Sequence, residues 1–244
     1  MVHYDLQAAV DLWRKLRLGP QFFPVRRFGE ASAYGKIYHT NGNKLMKIMA
    51  WSKNSQREMK IAKIAGNANV GPKVYNTRVW YPSNLSENAI LGNLFPNRKY
   101  NKVAVITMNK VPRAKSLYNA INNGTITNFS KVENAIKRMH AAGIHHGNLH
   151  GGNILVYVTN SGNLKFVPIN FGAAKYSKTI TNTRSAARYA TEVGGWRGLG
   201  KKVTQNGQTF FLRPGRNQPI RSNEAMLKHL KNYFNRVQEA KTKA

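Results

Sequence analysis

The hydrophobic pattern of the N-terminal half predicts a β-rich region. Segments 27–39 and 44–50 flank Asn41-Gly42, a dipeptide typical of two-residue turns, so they predict a β-hairpin. The other elements predicted here are helices over 4–18 and 55–65, strands over 73–80 and 102–108, and a loop over 84–101. The first helix has one apolar stripe, which we expect to pack on the body of the protein or on a partner. Its members are Leu6, Val10, Trp13 and Leu16.

Helical periodicity dominates after about residue 110. The predicted elements are helices over 114–122, 128–143 and 223–240, a hairpin of strands 153–158 and 164–169, and a strand over 209–212 within the irregular segment 194–219. The last helix has one apolar face, formed by Leu227, Leu230, Phe234 and Val237. The sequence therefore predicts an α+β fold with two lobes, a small antiparallel β-rich lobe followed by a reduced, mainly helical lobe.

The composition limits the classes of protein that this sequence can encode. The chain of 244 residues is 41% apolar and 20% charged, so it can bury a sizeable core and is not a disordered polycation. It has no cysteine, which excludes disulfides and thiolate zinc sites. It has 28 Asn but only two Asp, Asp5 and Asp11, so carboxylate-rich Mg²⁺ or Ca²⁺ sites lack their ligands.

The net charge of +30 predicts anionic partners, such as DNA or an acidic protein surface, within a larger assembly. The sequence has no zinc-finger spacing and no basic region joined to heptads, so any binding to nucleic acid would be non-specific. No apolar run approaches the ~18 residues of a membrane span. The N-terminus lacks the basic-then-apolar order of a signal peptide, so we expect an intracellular protein that is not secreted.

Two segments of the β-rich half contain residue types suited to phosphate binding. The first runs from Gly29 to Gly35, and glycine allows backbone N–H groups to approach a phosphate closely. The second contains Lys47 in a predicted strand and Glu58 in the predicted helix that follows. Each signal alone also fits an ordinary strand and turn, a strand lysine and a surface glutamate.

Three further segments follow in the helical half. The first, 146–156, begins with His146-Gly-Asn148 and continues through Asn153 into an apolar run. The second, Asn170-Phe171-Gly172, comes directly after a predicted strand. The third, 187–193, contains Glu192. Taken singly, these segments also fit a polar loop, a strand end and a helix start.

Together and in this order, the five segments resemble the eukaryotic-type protein kinase family, with features of its casein-kinase branch and of the kinase-like proteins of large double-stranded DNA viruses. The resemblance implies a kinase-like N-lobe over 26–109 and the core of a C-lobe over 110–193. An N-terminal extension, 1–25, and a basic C-terminal extension, 194–244, lie outside it.

The resemblance also assigns roles to individual residues. The remnants of a nucleotide-binding site would be Gly29, Gly35, Lys47, Glu58, Met108, Asn153, Phe171 and Gly172, with Glu58 as the helical partner of Lys47. His146 and Glu192 would be structural residues of the catalytic loop and of the activation segment.

Three asparagines stand where the family has acids. Asn148 replaces the aspartate that accepts the proton of the attacking hydroxyl, and a neutral amide has no useful basicity. Asn170 replaces the aspartate that holds Mg²⁺, and Asn109 replaces the glutamate of the hinge after Met108. We therefore expect no catalytic residue and no metal site. We also expect no cofactor, with vestigial ATP binding without metal as the alternative.

These observations predict a catalytically inactive kinase-like protein, a pseudokinase, that acts as a basic structural component of a virus particle, such as a minor capsid protein. The alternatives are an atypical active Ser/Thr kinase packaged in virions and a non-specific nucleic-acid-binding protein. A viral protein of this kind would be located in the virion or in the cytoplasm of the infected cell. Its partners would be packaged DNA or acidic capsid surfaces.

Overall fold

The computed structural model describes residues 4–28, 35–96, 100–179, 202–205, 208–212, 219–220 and 223–242. The chain divides into two compact units, residues 1–110 and 111–244. The helices are α1 (Tyr4–Lys15), α2 (Lys53–Asn67), α3 (Leu85–Leu94), α4 (Leu117–Asn122), α5 (Ser130–Ala141) and α6 (Asn223–Thr242).

The strands of the first unit are β1 (Pro24–Arg27), β2 (Gly35–Thr40), β3 (Lys44–Ala50), β4 (Val74–Trp80) and β5 (Val103–Asn109). They form one antiparallel sheet in the order β1-β2-β3-β5-β4, so β3 lies at its centre. The predicted hairpin across Asn41-Gly42 is confirmed, because β2 and β3 pair as antiparallel neighbours. Alternating side chains of the two strands place Tyr38, Met46 and Ile48 in the buried core.

Helix α2 packs on β4 and β5, and it begins two residues before the predicted start. Ser52 caps it: the Ser52 hydroxyl accepts from the N–H of Ser55 at 3.1 Å, and the Ser55 hydroxyl accepts from the N–H of Ser52 at 2.8 Å. This reciprocal pair satisfies two N–H groups that a helix start otherwise leaves without partners. The cap therefore fixes where the helix starts and which of its residues face the sheet.

Helix α1 packs on α3 and β1. Of the predicted stripe, Val10 is buried, and Leu6, Trp13 and Leu16 are partly buried against the core. The most deeply buried apolar residues of the helix are Ala8, Ala9 and Leu12, which lie outside the predicted stripe. Alanines allow two backbones to approach closely. The helix therefore docks through small alanines as well as through large apolar side chains, and a search for large apolar residues finds only the latter.

The loop predicted over 84–101 is wrong in its first part, which forms α3. The Asn84 side chain caps this helix by accepting from the N–H of Glu87 at 2.9 Å. Ile90, Leu91 and Leu94 then enter the core. An N-cap asparagine with a glutamate three residues later was the signal in the sequence, and Gly92 and the surrounding asparagines obscured it.

The second unit combines helices with three small antiparallel sheets, whose strand orders are β6-β8-β9, β7-β10 and β11-β12-β13. Their strands are β6 (Lys115–Ser116), β7 (Ile144–His145), β8 (Ile154–Val158), β9 (Leu164–Pro168), β10 (Lys175–Tyr176), β11 (Lys202–Gln205), β12 (Gln208–Leu212) and β13 (Pro219–Ile220). The second predicted hairpin is confirmed as β8 and β9. The predicted strand at 209–212 is confirmed as β12, which pairs with β11 and β13.

The predicted α+β class is confirmed, with an antiparallel sheet in the first unit and helices in both units. The apolar face of the last helix is confirmed as well, because Leu230 and Phe234 are buried. Within the described part of the chain, no helix is both long and apolar enough to cross a bilayer. Three predictions fall on residues outside the described ones: Gly29, Glu192 and the 187–193 segment.

Candidate functional site

An ion pair joins Lys47 of β3 to Glu58 of α2. The Lys47 Nζ and the Glu58 Oε1 are 2.5 Å apart, and each side chain is only 12% exposed. Lys47 reaches the pair from the central strand, between Ile37 of β2 and Ile106 of β5. The Ser52 cap starts α2 in the register that buries Glu58 against the sheet. The two residues predicted to pair from the sequence are therefore brought together.

A small cavity surrounds this ion pair. Its lining includes Gly35, Lys47, Ser52, Asn54, Ser55 and Glu58, and its volume is about 140 Å³. Cavities that hold drug-sized ligands usually measure about 300–1,000 Å³. The first unit by itself therefore has room for a group the size of a phosphate, next to a lysine ammonium and the start of β2.

The end of β5 contains a neutral amide that accepts two hydrogen bonds. Met108 is partly buried near the end of β5, and Asn109 ends that strand. The Asn109 Oδ1 accepts from the Lys44 Nζ at 3.1 Å and from the Tyr75 hydroxyl at 2.7 Å. The Lys44 ammonium also lies 4.6 Å from the centre of the Tyr75 ring, a cation–π contact. Sequence reasoning singled out Asn109 but not these two partners.

In the second unit, His146 connects the 146–153 segment to the residues after β9. The His146 Nε2 donates to the carbonyl oxygen of Ile169 at 2.8 Å, and a carbonyl can only accept, so Nε2 carries the proton. Burial lowers the pKa of His146 to about 4, so the imidazole is neutral at pH 7. Its ring centre lies 5.2 Å from that of Phe171, which is also buried. His146 therefore joins the 146–153 segment to Ile169 and Phe171.

The three asparagines of the second-unit motifs lie together. The Asn170 Nδ2 donates to the Asn153 Oδ1 at 2.7 Å, and the Asn153 Nδ2 donates to the carbonyl oxygen of Asn148 at 2.9 Å. Because that carbonyl only accepts, Asn153 must direct its NH₂ group towards Asn148 and its oxygen towards Asn170. Gly172 follows in the short 3₁₀ turn Phe171–Ala173.

This arrangement does not fit Mg²⁺. The cation needs anionic oxygen ligands, whereas both side chains here are neutral amides and the Asn153 oxygen already accepts an N–H. Among the residues that the structure describes, no group of three or more His, Asp or Glu side chains is placed to hold a metal ion.

Sequence reasoning missed His140, which lies on α5 and is 1% exposed. Burial, followed by the nearby His146, lowers the pKa of His140 to about 4. Its position one residue after Met139, on the face that also contains Ile136, was a sequence signal for burial. His140 and His146 therefore belong to one buried, neutral histidine cluster beneath the motif segments.

No protein-family model matches the sequence, and no curated protein matches it. Among solved structures, the chain is similar to WaaP in complex with acyl carrier protein, with a TM-score of 0.44 and 12% identity over 66% of this chain and 66% of that chain. It is also similar to the kinase domain of Mycobacterium tuberculosis PknI, a double mutant, with a TM-score of 0.40 and 13% identity over 64% of this chain and 62% of that chain. The chain thus spans slightly less than two thirds of each structure. Both similarities concern the fold and extend to no activity, substrate or partner.

Proposed function

We propose that this chain is a kinase-like protein that can hold a nucleotide phosphate without a metal and does not transfer it. The observation that carries the proposal is the buried ion pair of Lys47 and Glu58 beside a phosphate-sized cavity. A lysine in such a pair is held in position, which suits it to contact a phosphate. The pair occupies the strand and the helix that the kinase resemblance assigns to it.

The absence of transfer follows from the chemistry of two side chains. Asn148 stands where a general base is needed, and its amide cannot accept a proton at neutral pH. Asn170 offers an amide where a carboxylate would hold Mg²⁺, and its NH₂ group donates to Asn153. No Asp follows Asp11 in the sequence, so the second unit contains no Asp that could replace Asn148 or Asn170 in these roles.

The proposal is tested by the melting temperature of the protein with ATP, in EDTA and in excess MgCl₂. We expect ATP to raise the melting temperature equally in both buffers, because Lys47 and not a metal contacts the phosphate. The substitution Lys47→Met should abolish the rise. Lys63→Met is the matched control, because Lys63 is exposed on α2, away from the ion pair, and should keep the rise.

Three results would contradict the proposal. No rise with ATP would show that the cavity does not bind the nucleotide. Transfer of labelled γ-phosphate by the wild-type protein in Mg²⁺ or Mn²⁺, lost in Lys47→Met, would show an active kinase and therefore the alternative function. An equal loss of the rise in Lys47→Met and Lys63→Met would assign ATP binding to general surface charge.

Polyanion binding is a second candidate function, favoured by one face of α2. Lys53, Arg57, Lys60 and Lys63 lie along this face and form what we call the basic stripe. Glu58 is the only acid of the helix and points to the opposite, buried side. A row of cations without acids between them suits a row of phosphates.

The salt dependence of DNA binding tests this second function. The logarithm of the binding constant should fall linearly with the logarithm of salt concentration, with a slope of about −0.9 for each phosphate neutralised. The double substitution Lys53→Glu and Lys60→Glu should make the slope shallower, by the equivalent of about two neutralised phosphates. The double substitution Lys131→Glu and Lys137→Glu, which changes two exposed positions of α5, should change it less. Equal effects of the two doubles would argue for diffuse charge instead of the stripe.

The +30 charge supports a setting rich in anions for either function. We propose a role against DNA or acidic protein surfaces inside a larger assembly. The virus particle implied by the motif resemblance is such an assembly, and the infected-cell cytoplasm is where it would form. Cross-linking of intact particles followed by mass spectrometry would identify the neighbouring surface.

A further inference from the structure

We propose that Asn148, Asn153 and Asn170 close the 146–153 segment onto the 169–173 segment without a cation, as a hydrogen-bonded asparagine network. The network consists of the Asn170 Nδ2 to Asn153 Oδ1 bond at 2.7 Å and the Asn153 Nδ2 to Asn148 carbonyl bond at 2.9 Å. The inference rests on the proposed function only for the expectation that a divalent cation would otherwise bridge these positions.

Backbone contacts hold the centre of the network in place. Asn153 is 4% exposed, and its own carbonyl oxygen accepts from the N–H of Ile169 at 3.0 Å. Its N–H donates to the carbonyl oxygen of His150 at 2.8 Å. Opening the two segments would therefore break hydrogen bonds of a buried residue, and buried polar groups without partners are costly. The network joins segments that are about twenty residues apart in the sequence.

A carboxylate at position 170 would turn the attractive contact with Asn153 into a repulsive one. Aspartate has nearly the same shape as asparagine but offers only acceptors, so two oxygens would face each other across the contact with Asn153. Asn153 cannot turn its NH₂ group towards position 170 without losing its bond to the Asn148 carbonyl. A divalent cation would relieve the conflict by binding both oxygens. Asn170 is exposed, so a cation from solvent can reach it.

Hydrogen–deuterium exchange of the full-length protein tests the network, read at the amides of Asn153 and Ile169. In EDTA, both amides of the wild-type protein should be protected from exchange. Adding excess Mg²⁺ or Mn²⁺ should not change their exchange rates. In the Asn170→Asp variant, the two amides should exchange about two- to tenfold faster in EDTA, which is the effect of one lost hydrogen bond. Either cation should restore its protection. Asn170→Ala should lose protection without restoration.

Asn134→Asp is the matched control, because it makes the same charge change at an exposed position of α5 and should leave both amides unchanged. The inference is overturned if Mg²⁺ raises the protection of the wild type, or if Asn170→Asp exchanges like the wild type in EDTA. It is also overturned if neither cation restores the protection of the two amides in Asn170→Asp, because the carboxylate at position 170 and the Asn153 oxygen would then not be placed to bind one cation.

The outcome is separable from that of the proposed function. ATP binding depends on Lys47 in the first unit, whereas the exchange experiment contains no nucleotide and reports on the second unit. Failure of the ATP-dependent rise in melting temperature would leave the exchange result standing, and failure of the exchange experiment would leave ATP binding standing.

Discussion

At the scale of single residues, the motif of the second unit depends on a close backbone approach at Gly147. This glycine has φ of +71°, and a Cβ atom built there would overlap the carbonyl oxygen of Ala173. Only glycine fits because both the backbone conformation and the space exclude a side chain. The approach brings the segment of Asn148 against the turn that follows Asn170.

We predict that Gly147→Ala destabilises the protein by about 2–5 kcal/mol, the sum of roughly 1–2 kcal/mol for the positive φ and about 1–3 kcal/mol for the overlap. Gly162 provides the control, because its φ is +77° but nothing lies within 4 Å of a Cβ built there. Gly162→Ala should therefore lose only the first part. Urea denaturation of both variants measures the difference. Equal losses would mean that the close approach to Ala173 has no energetic weight.

The sequence identified the members of the motifs but not their contacts. The pairing of Lys47 with Glu58 was expected only from the kinase resemblance, because the residues alone also fit a strand lysine and a surface glutamate. The bond between Asn153 and Asn170 could not be foreseen, because it depends on two turns that bring distant segments together. Asparagine at position 170 also adopts a left-handed backbone, with φ of 62°, which asparagine tolerates better than most residues.

At the scale of elements, α1 is attached to the sheet through one buried carboxylate. Asp5 is 8% exposed, and its Oδ2 lies 3.1 Å from the Arg27 Nη1 and 3.4 Å from the Lys36 Nζ. The hydroxyl of Tyr38 donates to the backbone carbonyl of Asp5, and burial raises the pKa of this tyrosine. Helix α1 is thus held by polar contacts as well as by its alanines.

We predict that Asp5→Asn loses about 2–4 kcal/mol of folding free energy, because two partly or fully buried cations then face a neutral amide. Asp11→Asn makes the same change on the same helix, but its ion pair with Arg14 is largely exposed and should lose less than about 1 kcal/mol. Urea denaturation followed by tryptophan fluorescence is a suitable measurement, because Trp13 lies on α1. Similar losses in the two variants would show that α1 is not attached through Asp5.

Among the elements, those with strong local signals could be predicted and those fixed by tertiary contacts could not. The Asn41-Gly42 signal predicted the first hairpin, although Asn43, and not Gly42, has the left-handed backbone of the turn, with φ of 51°. Helix α3 was missed because its capping signal lies in an asparagine-rich stretch and its apolar side does not repeat clearly. Glu87 shows the tertiary part of its stability: the Lys15 ammonium of α1 and the N–H and hydroxyl of Ser83 lower the pKa of Glu87 to about 2.

At the scale of the whole molecule, the few acids serve the fold and leave the net positive charge in place. Of the acidic side chains in the described part of the chain, five form ion pairs with lysine or arginine: Asp5, Asp11, Glu58, Glu87 and Glu133. The basic groups outnumber them by 39 to 9 in the full sequence. Anions outside the molecule must therefore supply the remaining neutralisation, which is the physical reason to expect an acidic partner.

The whole molecule should also lose stability in mild acid, because its second unit buries three neutral histidines. Burial is the main cause that lowers the pKa values of His140, His145 and His146 to about 4. The unfolded chain binds these protons at about pH 6.5, whereas the folded chain does not until about pH 4. The free energy of unfolding should therefore fall as the pH decreases from 6.5 to 4 and stay constant above pH 7.

One such histidine changes the free energy of unfolding by about 1.4 kcal/mol per pH unit. Two basic side chains lie near the cluster: Lys175 of β10, which is paired with His145 in the sheet, and His150. Neither can stabilise the protonated form of the buried histidines. Hydrogen exchange, corrected for the intrinsic pH dependence of amide rates, should show the loss in the second unit before the first. His140→Leu should reduce the slope by about one third, whatever its effect on absolute stability. A slope unchanged in His140→Leu would mean that the buried histidines do not govern the acid sensitivity of this fold.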